Sequence, residues 1–204
     1  MRLSTQLGSL VTTHQPIRPA LAACVCSMPG AAIGFGLWLG APRSVGLGMF
    51  AFVLTTVLLI ALFSESLFVR QQVYEHGLLL SSVVPLTPRY AIPYATIDPD
   101  SIDAQNYHRT MGAADITDAF ARRYRQAPFV GVVTFVGLSP AIARDVAKGR
   151  IDWTHAVDSA RELPRRLRAR GNEFEDWYIG VRDNTAAATD LRRRVADADR
   201  RRST

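Results

Sequence analysis

The segment VYEHGLLLSSVVPLTPRYAIPYATID spans Val73–Asp98 and has the alternation and turn residues of a small β-sheet that folds in water. It follows shortly after FAFVLTTVLLIALF, Phe50–Phe63, which carries no charge and is apolar enough to lie in lipid. The chain changes character near Arg70, since mostly apolar residues precede it and polar, arginine-rich residues follow it. The sequence therefore predicts a membrane part followed by a soluble part.

Charge and cysteine content narrow the function classes. The 204 residues carry a formal charge of +6, and Lys148 is the single lysine. A basic balance is typical of proteins that contact nucleic acid or an anionic membrane surface, and the apolar half favours the membrane. The arginines lack the interleaved aromatic residues of a nucleic-acid module, so we expect no nucleic-acid partner. Cys24 and Cys26 lie in an apolar run without a histidine partner, which predicts small hydrophobic side chains.

Two runs without charge, 19–42 and 44–64, predict membrane-spanning helices at about residues 19–41 and 45–66, after an N-terminal tail of residues 1–18. Each run reaches the ~20 residues that a helix needs to cross a hydrocarbon core of ~30 Å. A signal peptide fits the first run poorly, because a second span follows at once. The connection APRS, residues 41–44, is so short that the two helices must form a hairpin with both ends on one side.

The distribution of arginine predicts which side that is. Arg2 and Arg18 precede the first span, Arg70 and Arg89 follow the second, and the turn contains Arg43 alone. Cytoplasmic flanks of membrane helices are enriched in arginine and lysine. We therefore expect both termini and the soluble domain to be cytoplasmic.

Small residues recur every four positions along the first span. Such a face allows two helix backbones to approach closely in lipid. It packs either on the second helix of the same chain, or on a homodimer or membrane-protein partner. The residues are Ala22, Cys26, Gly30, Gly34, Gly36 and Gly40.

The soluble part, residues 70–198, predicts strands first and a helix last, with a basic tail at 199–204. Four short strands are expected in FVRQQVY, LLLSSVV, RYAIPYATI and SIDAQNY, and later ones in residues 128–138 and 176–181. The EHG turn ends at Gly77, where a positive φ costs little. Asp183 or Asn184 is suited to cap a terminal helix, whose apolar stripe is Ala188, Leu191, Val195 and Ala198.

The strand and helix signals resemble bacterial pleckstrin-homology-like (PH-like) domains. The likeness rests on Trp177–Asp183, which leads directly into the terminal helix, and on Tyr74, Glu75, Gly77, Leu78, Ile92, Pro93, Tyr94 and Ile97. It implies a bent antiparallel β-sheet or partly open barrel with a C-terminal capping helix, in a bacterial plasma-membrane protein. The fold class is then a membrane α-helical hairpin plus an α+β soluble domain. Residues 108–127 and 139–175 depart from the pattern and are expected to be mostly helical insertions.

Catalytic and metal-binding motifs are weak in this sequence. Asp98, Asp100 and Asp103 form an acidic turn, but the glycine and glutamate of a calcium loop are not at their positions. Histidines 76, 108 and 155 have no metal-ligand spacing. We therefore expect no catalytic residue, metal or cofactor.

Four arginines in the segment RELPRRLRAR are the strongest charged feature. They contact either lipid headgroups or a partner, or they form a solvated helix face. The four are Arg165, Arg166, Arg168 and Arg170.

These features favour a membrane-anchored, non-enzymatic binding or scaffolding module for a protein, a peptide or a lipid headgroup. The first alternative is an accessory subunit of a larger membrane complex that uses the small-residue helix face. The second is an enzyme with a membrane tail.

Overall fold

The structure is a computed structural model that describes residues 6–40, 45–62, 68–105, 131–162 and 173–203. Over these ranges the chain is an α+β protein with two apolar helices, two antiparallel sheets and a C-terminal helix. The insertion expected at 108–127 lies outside the described residues.

The two apolar helices are α1, Pro19–Gly40, and α2, Val45–Leu62. Both are long and apolar enough to cross a membrane. They pack against each other along one face, and most of their other side chains are exposed. The prediction of two apolar helices is therefore confirmed.

The first sheet has four strands in the order β1-β2-β3-β4, and every neighbouring pair is antiparallel. The strands are Leu10–His14, Val69–Tyr74, Gly77–Ser82 and Tyr90–Pro93. Residues 1–18 were predicted as a tail, but β1 lies within them and forms the sheet edge. Pairing with β1 satisfies the outer backbone groups of β2, which would otherwise be an open edge. The helical hairpin α1–α2 is therefore inserted between two paired strands of one sheet.

The second sheet has three strands in the order β5-β6-β7, also antiparallel. They are Asp103–Gln105, Gly131–Leu138 and Phe174–Val181.

In the first sheet, the strand expected to continue through Thr96 ends at Pro93. Tyr94–Thr96 forms a 3₁₀ turn, in which the Thr96 hydroxyl donates to the Pro93 carbonyl (2.8 Å).

Three α-helices lie among the described residues that follow the first sheet. Within residues 139–175 lie α3, Pro140–Ala147, and α4, Trp153–Glu162. Because α3 packs on β4, all four residues of that strand are buried and not alternately exposed. The terminal helix α5, Asn184–Ser203, extends into the residues predicted as a basic tail.

The predicted stripe of α5 faces the sheets, since Ala188, Leu191 and Val195 are all buried. Asp183 is the cap, because its carboxylate accepts a hydrogen bond from the Ala186 amide (3.0 Å). The described core lies between the two sheets, α3 and α5.

Gly77 has a different role from the one expected. Its φ is not positive, and it lies in β3. A Cβ there would be 2.5 Å from the Ile92 carbonyl oxygen and 2.6 Å from the Trp153 ring. Glycine at this position therefore permits close packing of β3 against β4 and α4.

Candidate binding site

The charged site predicted from sequence cannot be located, since Arg165, Arg166, Arg168 and Arg170 lie outside the described residues. The acidic turn has a structural role: the Asp98 carboxylate accepts from the Asp100 amide (3.1 Å), and that of Asp103 from the Ala104 amide (2.8 Å). Within the described ranges, no three His, Cys, Asp or Glu side chains gather in a group that could hold a metal ion.

The small-residue face of α1 divides into two parts. Ala22, Cys26, Gly30 and Gly34 are buried. A Cβ on Gly30 would lie 2.8 Å from the Phe52 carbonyl oxygen, and one on Gly34 would lie 2.9 Å from that of Gly48. These four residues therefore belong to the interface between α1 and α2. A Cβ on Gly36 or Gly40 would meet no atom of the described residues within 4 Å, so this part of the face is open there.

A cleft of about 580 Å³ lies between the ends of β1 and β7 and the first turns of α5. From β1 the chain passes through Ile17 and Arg18 directly into α1. The cleft is therefore at the end of the domain from which the apolar helices depart. It is lined by Thr13, His14, Gln15, Pro16, Gln71, Val181, Arg182, Asp183, Ala186, Ala187 and Asp190.

Gln71 fixes the floor of the cleft. Its side chain is almost fully buried, and Nε2 donates a 2.6 Å hydrogen bond to the Gly180 carbonyl. This bond joins β2 of the first sheet to β7 of the second. At the mouth, Arg182 Nε contacts the Pro16 carbonyl oxygen at 3.4 Å, which links the end of β7 to the segment that leads into α1.

A smaller cavity of about 90 Å³ adjoins the cleft, with which it shares His14, Gln71, Val181, Ala187 and Asp190. That volume is enough for ordered water or a small chemical group. Its polar contributors further in are Tyr94 and Arg194. The apolar walls are Val73, Leu78, Leu80, Val133, Ile179 and Leu191.

The hydroxyl of Tyr94 is the unusual group in this cavity. The side chain is fully buried, and among the described residues the oxygen makes no hydrogen bond of good geometry, although the Arg194 side chain lies close to it. Burial raises the pKa of Tyr94 far above its ordinary value of 10, against the opposing effect of the nearby Arg194. The hydroxyl is therefore protonated at neutral pH. A buried polar group without a partner costs about 1–3 kcal/mol, so this one marks a place for a bound group or water.

The wall formed by α5 carries an ion pair. Arg194 Nε donates to the Asp190 carboxylate at 2.7 Å, and Arg193 donates to the other carboxylate oxygen. Partial burial opposes ionisation of Asp190, but these hydrogen bonds and positive charges outweigh it and hold the pKa of Asp190 below its ordinary value. Asp190 is therefore ionised, and both of its carboxylate oxygens already accept hydrogen bonds from arginine. It is poorly suited to act as a general acid or base at neutral pH.

Four exposed arginines surround the end of the domain that carries the cleft. Arg18 begins the path into α1, Arg70 lies at the start of β2, Arg89 precedes β4 and Arg182 follows β7. None of the four forms an ion pair with the described residues. The strand topology thus gathers charges that are far apart in the sequence.

Sequence reasoning missed the cleft because it missed β1. The only available signal was the β-branched content of LVTTH, residues 10–14. All five side chains are at least partly exposed, so the strand shows no alternation of buried and exposed residues.

Comparison with protein-family models gives no match for this chain. No curated protein matches it either, and no solved structure does.

Proposed function

We propose that the protein is a membrane-anchored, non-enzymatic binding module of the PH-like type, with α1 and α2 as its transmembrane anchor. The observation that carries the proposal is the cleft next to α1, which leads to the buried and unpartnered Tyr94 hydroxyl. A concave site with polar groups at its mouth and apolar walls in the adjoining cavity is suited to ligand recognition. The two antiparallel sheets and the packed terminal helix support the PH-like assignment.

The bilayer placement follows from charge and exposure. Arg18, Arg70, Arg89 and Arg182 lie at the end where the helices depart, and Arg43 is the single arginine in the sequence between the two helices. This bias favours a plasma-membrane hairpin with both termini and the soluble domain in the cytoplasm. Each arginine close to an anionic leaflet contributes about 1 kcal/mol, so the domain is held with the cleft close to the lipid surface.

The ligand proposed for the cleft is a protein, a peptide or a lipid headgroup, and its class can be determined by photocrosslinking. A photoreactive amino acid at Ala186, which is exposed on the cleft wall, is introduced into the full-length protein in native membranes. The same group at Lys148, in an exposed turn after α3, is the control. Mass spectrometry of the adduct then identifies the chemical class.

Two matched variants show whether capture depends on the cleft. Thr13→Trp fills the mouth, and Thr185→Trp adds the same bulk at an exposed position outside the lining. We expect the Ala186 adduct to disappear with Thr13→Trp and to persist with Thr185→Trp. Equal adduct yields at Ala186 and Lys148 would contradict the cleft assignment. So would an Ala186 adduct whose yield is unchanged in both tryptophan variants. Conversion of a captured small molecule by the purified protein would overturn the non-enzymatic assignment.

A second proposed function is that of an accessory subunit of a membrane complex. The part of the small-residue face of α1 that is open to a partner is smaller than the six residues predicted from the sequence. Gly36 and Gly40 are open, whereas Gly30 and Gly34 contact α2. A partner or a second copy would therefore meet the last turn of α1. Its test is loss of co-purification in mild detergent when Gly36 and Gly40 are replaced by leucine.

A further inference from the structure

The turn between β3 and β4 lies at the end of the sheet from which the apolar helices leave. Ser82, the last residue of β3, pairs with Val69, the first residue of β2 after the hairpin. Residues 83–89 therefore extend from the sheet toward the helices. The Val83 amide donates to the Phe68 carbonyl (2.9 Å), which ties the turn to the chain that emerges from α2.

Packing brings this turn against the sides of the helices. Val84 contacts a small apolar cluster built around Ala22, Cys26 and Phe68, to which Leu59 and Ile60 of α2 also belong. Cys26 is seven residues after Pro19, the first residue of α1, which corresponds to about 10 Å along the helix axis. The turn thus packs against an apolar cluster that extends about 10 Å along α1.

Leu86 is the most exposed large hydrophobic residue of the described chain, and it is fully accessible. Its φ is 69°, a left-handed conformation that leucine rarely adopts and that is unfavourable for a residue with a Cβ. Two hydrogen bonds hold the turn, from the Thr87 hydroxyl to the Val84 carbonyl (2.8 Å) and from the Val84 amide to the Ser82 hydroxyl (3.1 Å). The turn thus presents an apolar tip that gains nothing from contact with water.

Two basic residues lie at this end of the sheet. Arg89 closes the turn, and Arg70 lies on β2 opposite Ser81, near the end of β3 from which the turn leaves. Both arginines are exposed. An apolar tip beside basic side chains is the pattern of a segment that enters the boundary between acyl chains and anionic headgroups.

We propose that residues 83–89 form a lipid-contacting turn, in which Leu86 enters the acyl-chain boundary of the bilayer and Arg70 and Arg89 lie at the level of the phosphates. The inference rests on the proposed function, because it requires α1 and α2 to span the bilayer. It adds a third contact with the membrane beside the two helices. A rigid domain held at three points cannot pivot freely, so the mouth of the cleft keeps a fixed orientation relative to the lipid surface.

The test uses full-length protein in vesicles that contain anionic phospholipid, with Cys24→Ala and Cys26→Ala to remove the native thiols. A single cysteine carrying a polarity-sensitive fluorophore then replaces Leu86, Leu58 or Leu10. Leu58 is exposed on α2, and Leu10 is exposed on β1, at the end of that strand far from the helices. Lipids with spin labels at a shallow acyl position serve as quenchers.

We expect the probe at position 86 to emit at shorter wavelength than the probe at position 10 and to be quenched by the spin-labelled lipids. A water-exposed, unquenched probe at 86 together with a lipid-quenched probe at 58 would contradict lipid contact of residues 83–89 and would leave the proposal of a membrane anchor intact. A water-exposed probe at 58 would contradict the membrane anchor, and therefore also the lipid-contacting turn that depends on it.

A second measurement avoids the fluorophore. Leu86→Asn retains a residue that tolerates a left-handed backbone but removes the apolar tip. We expect this variant to leave the folded domain intact in detergent and to increase proteolysis of the β3–β4 turn in vesicles severalfold relative to the wild-type chain. Equal protection of both proteins in vesicles would contradict lipid contact at Leu86.

Discussion

His14 lies directly opposite Gln71 in the antiparallel pair of β1 and β2, although the whole α1–α2 hairpin separates the two residues in the chain. The first strand of the sheet therefore precedes the apolar helices in the chain, and the second strand follows them. Closure of the sheet requires the start of α1 and the end of α2 to lie at the same end of the domain. Pairing of the two helices and folding of the domain are therefore coupled by topology.

The first prediction follows from this pairing. A fragment of residues 70–204 lacks β1 and exposes the edge of β2, and it also lacks Leu7, which is buried in the core. Burial of a leucine side chain stabilises a fold by about 1.5–3 kcal/mol. We expect the fragment to unfold at lower denaturant concentration and to aggregate, as measured by circular dichroism and size-exclusion chromatography.

A hairpin-replacement protein is the control. Residues 6–16 are joined to residues 68–204 by a short Gly-Ser linker, which restores β1 without the apolar helices. This protein is expected to be monomeric in water and more stable than the fragment by at least about 2 kcal/mol. If both proteins unfold at the same denaturant concentration, β1 contributes nothing to the domain.

The contrast between β1 and α5 shows what the sequence contains and what it lacks. The stripe of α5, including Leu191 and Val195, repeats at helical spacing and becomes buried, so a local pattern is enough to predict it. The strand β1 has no buried face, and its partner is beyond two helices. Pairing of that kind is a property of the assembled topology, which no local window of sequence contains.

The candidate site was unpredictable for the same reason. Gln71 and Gly180 lie on different sheets, and only the fold brings the amide within 2.6 Å of the carbonyl. Tyr94 was noted in the sequence as part of an alternating strand, yet it falls in a 3₁₀ turn that directs it into the cavity. The α1 glycines were predictable as a packing face. Which of them contact α2 is visible only in the packed structure.

The second prediction concerns the Tyr94 hydroxyl. Because this buried group has no hydrogen bond of good geometry with the described residues, Tyr94→Phe is expected to raise the free energy of unfolding by about 1 kcal/mol and to abolish capture of the cleft ligand. The control is Tyr90→Phe, since the buried Tyr90 hydroxyl accepts from Arg144 Nη2 (3.2 Å). That variant should lose about 0.5–1.5 kcal/mol. Denaturant titration in detergent measures the free energy of unfolding of both variants. An equal decrease in the two would show that the Tyr94 hydroxyl has a hydrogen-bond partner.

The third prediction is a pH dependence that involves Asp190. Arg194 and Arg193 hold the pKa of this carboxyl below its ordinary value of 3.8, so its ionised form stabilises the folded state. The contribution is complete at neutral pH, begins to fade near about pH 5 and is lost as the pH falls through the lower folded-state pKa. Asp190→Asn should therefore destabilise the protein at pH 7 and converge with the wild-type protein in acid.

Asp176→Asn, which removes an exposed carboxylate from β7, controls for the change in net charge. Thermal unfolding across the acidic range is the measurement. A difference between Asp190→Asn and the wild-type protein that stays constant with pH would show that the ion pair does not titrate with folding.

The fourth prediction separates the two halves of the small-residue face. A Cβ on Gly34 would lie 2.9 Å from the Gly48 carbonyl oxygen, so Gly34→Leu must push α1 and α2 apart. Overpacking of a tight interface costs about 1–3 kcal/mol. A Cβ on Gly36 would meet no described atom within 4 Å, so Gly36→Leu should change stability by less than about 0.5 kcal/mol. Thermal denaturation in detergent, followed by the helical circular dichroism signal, measures both variants. If Gly34→Leu proves as harmless as Gly36→Leu, the glycine contact does not hold the hairpin together, and its conformation must depend on the pairing of β1 with β2.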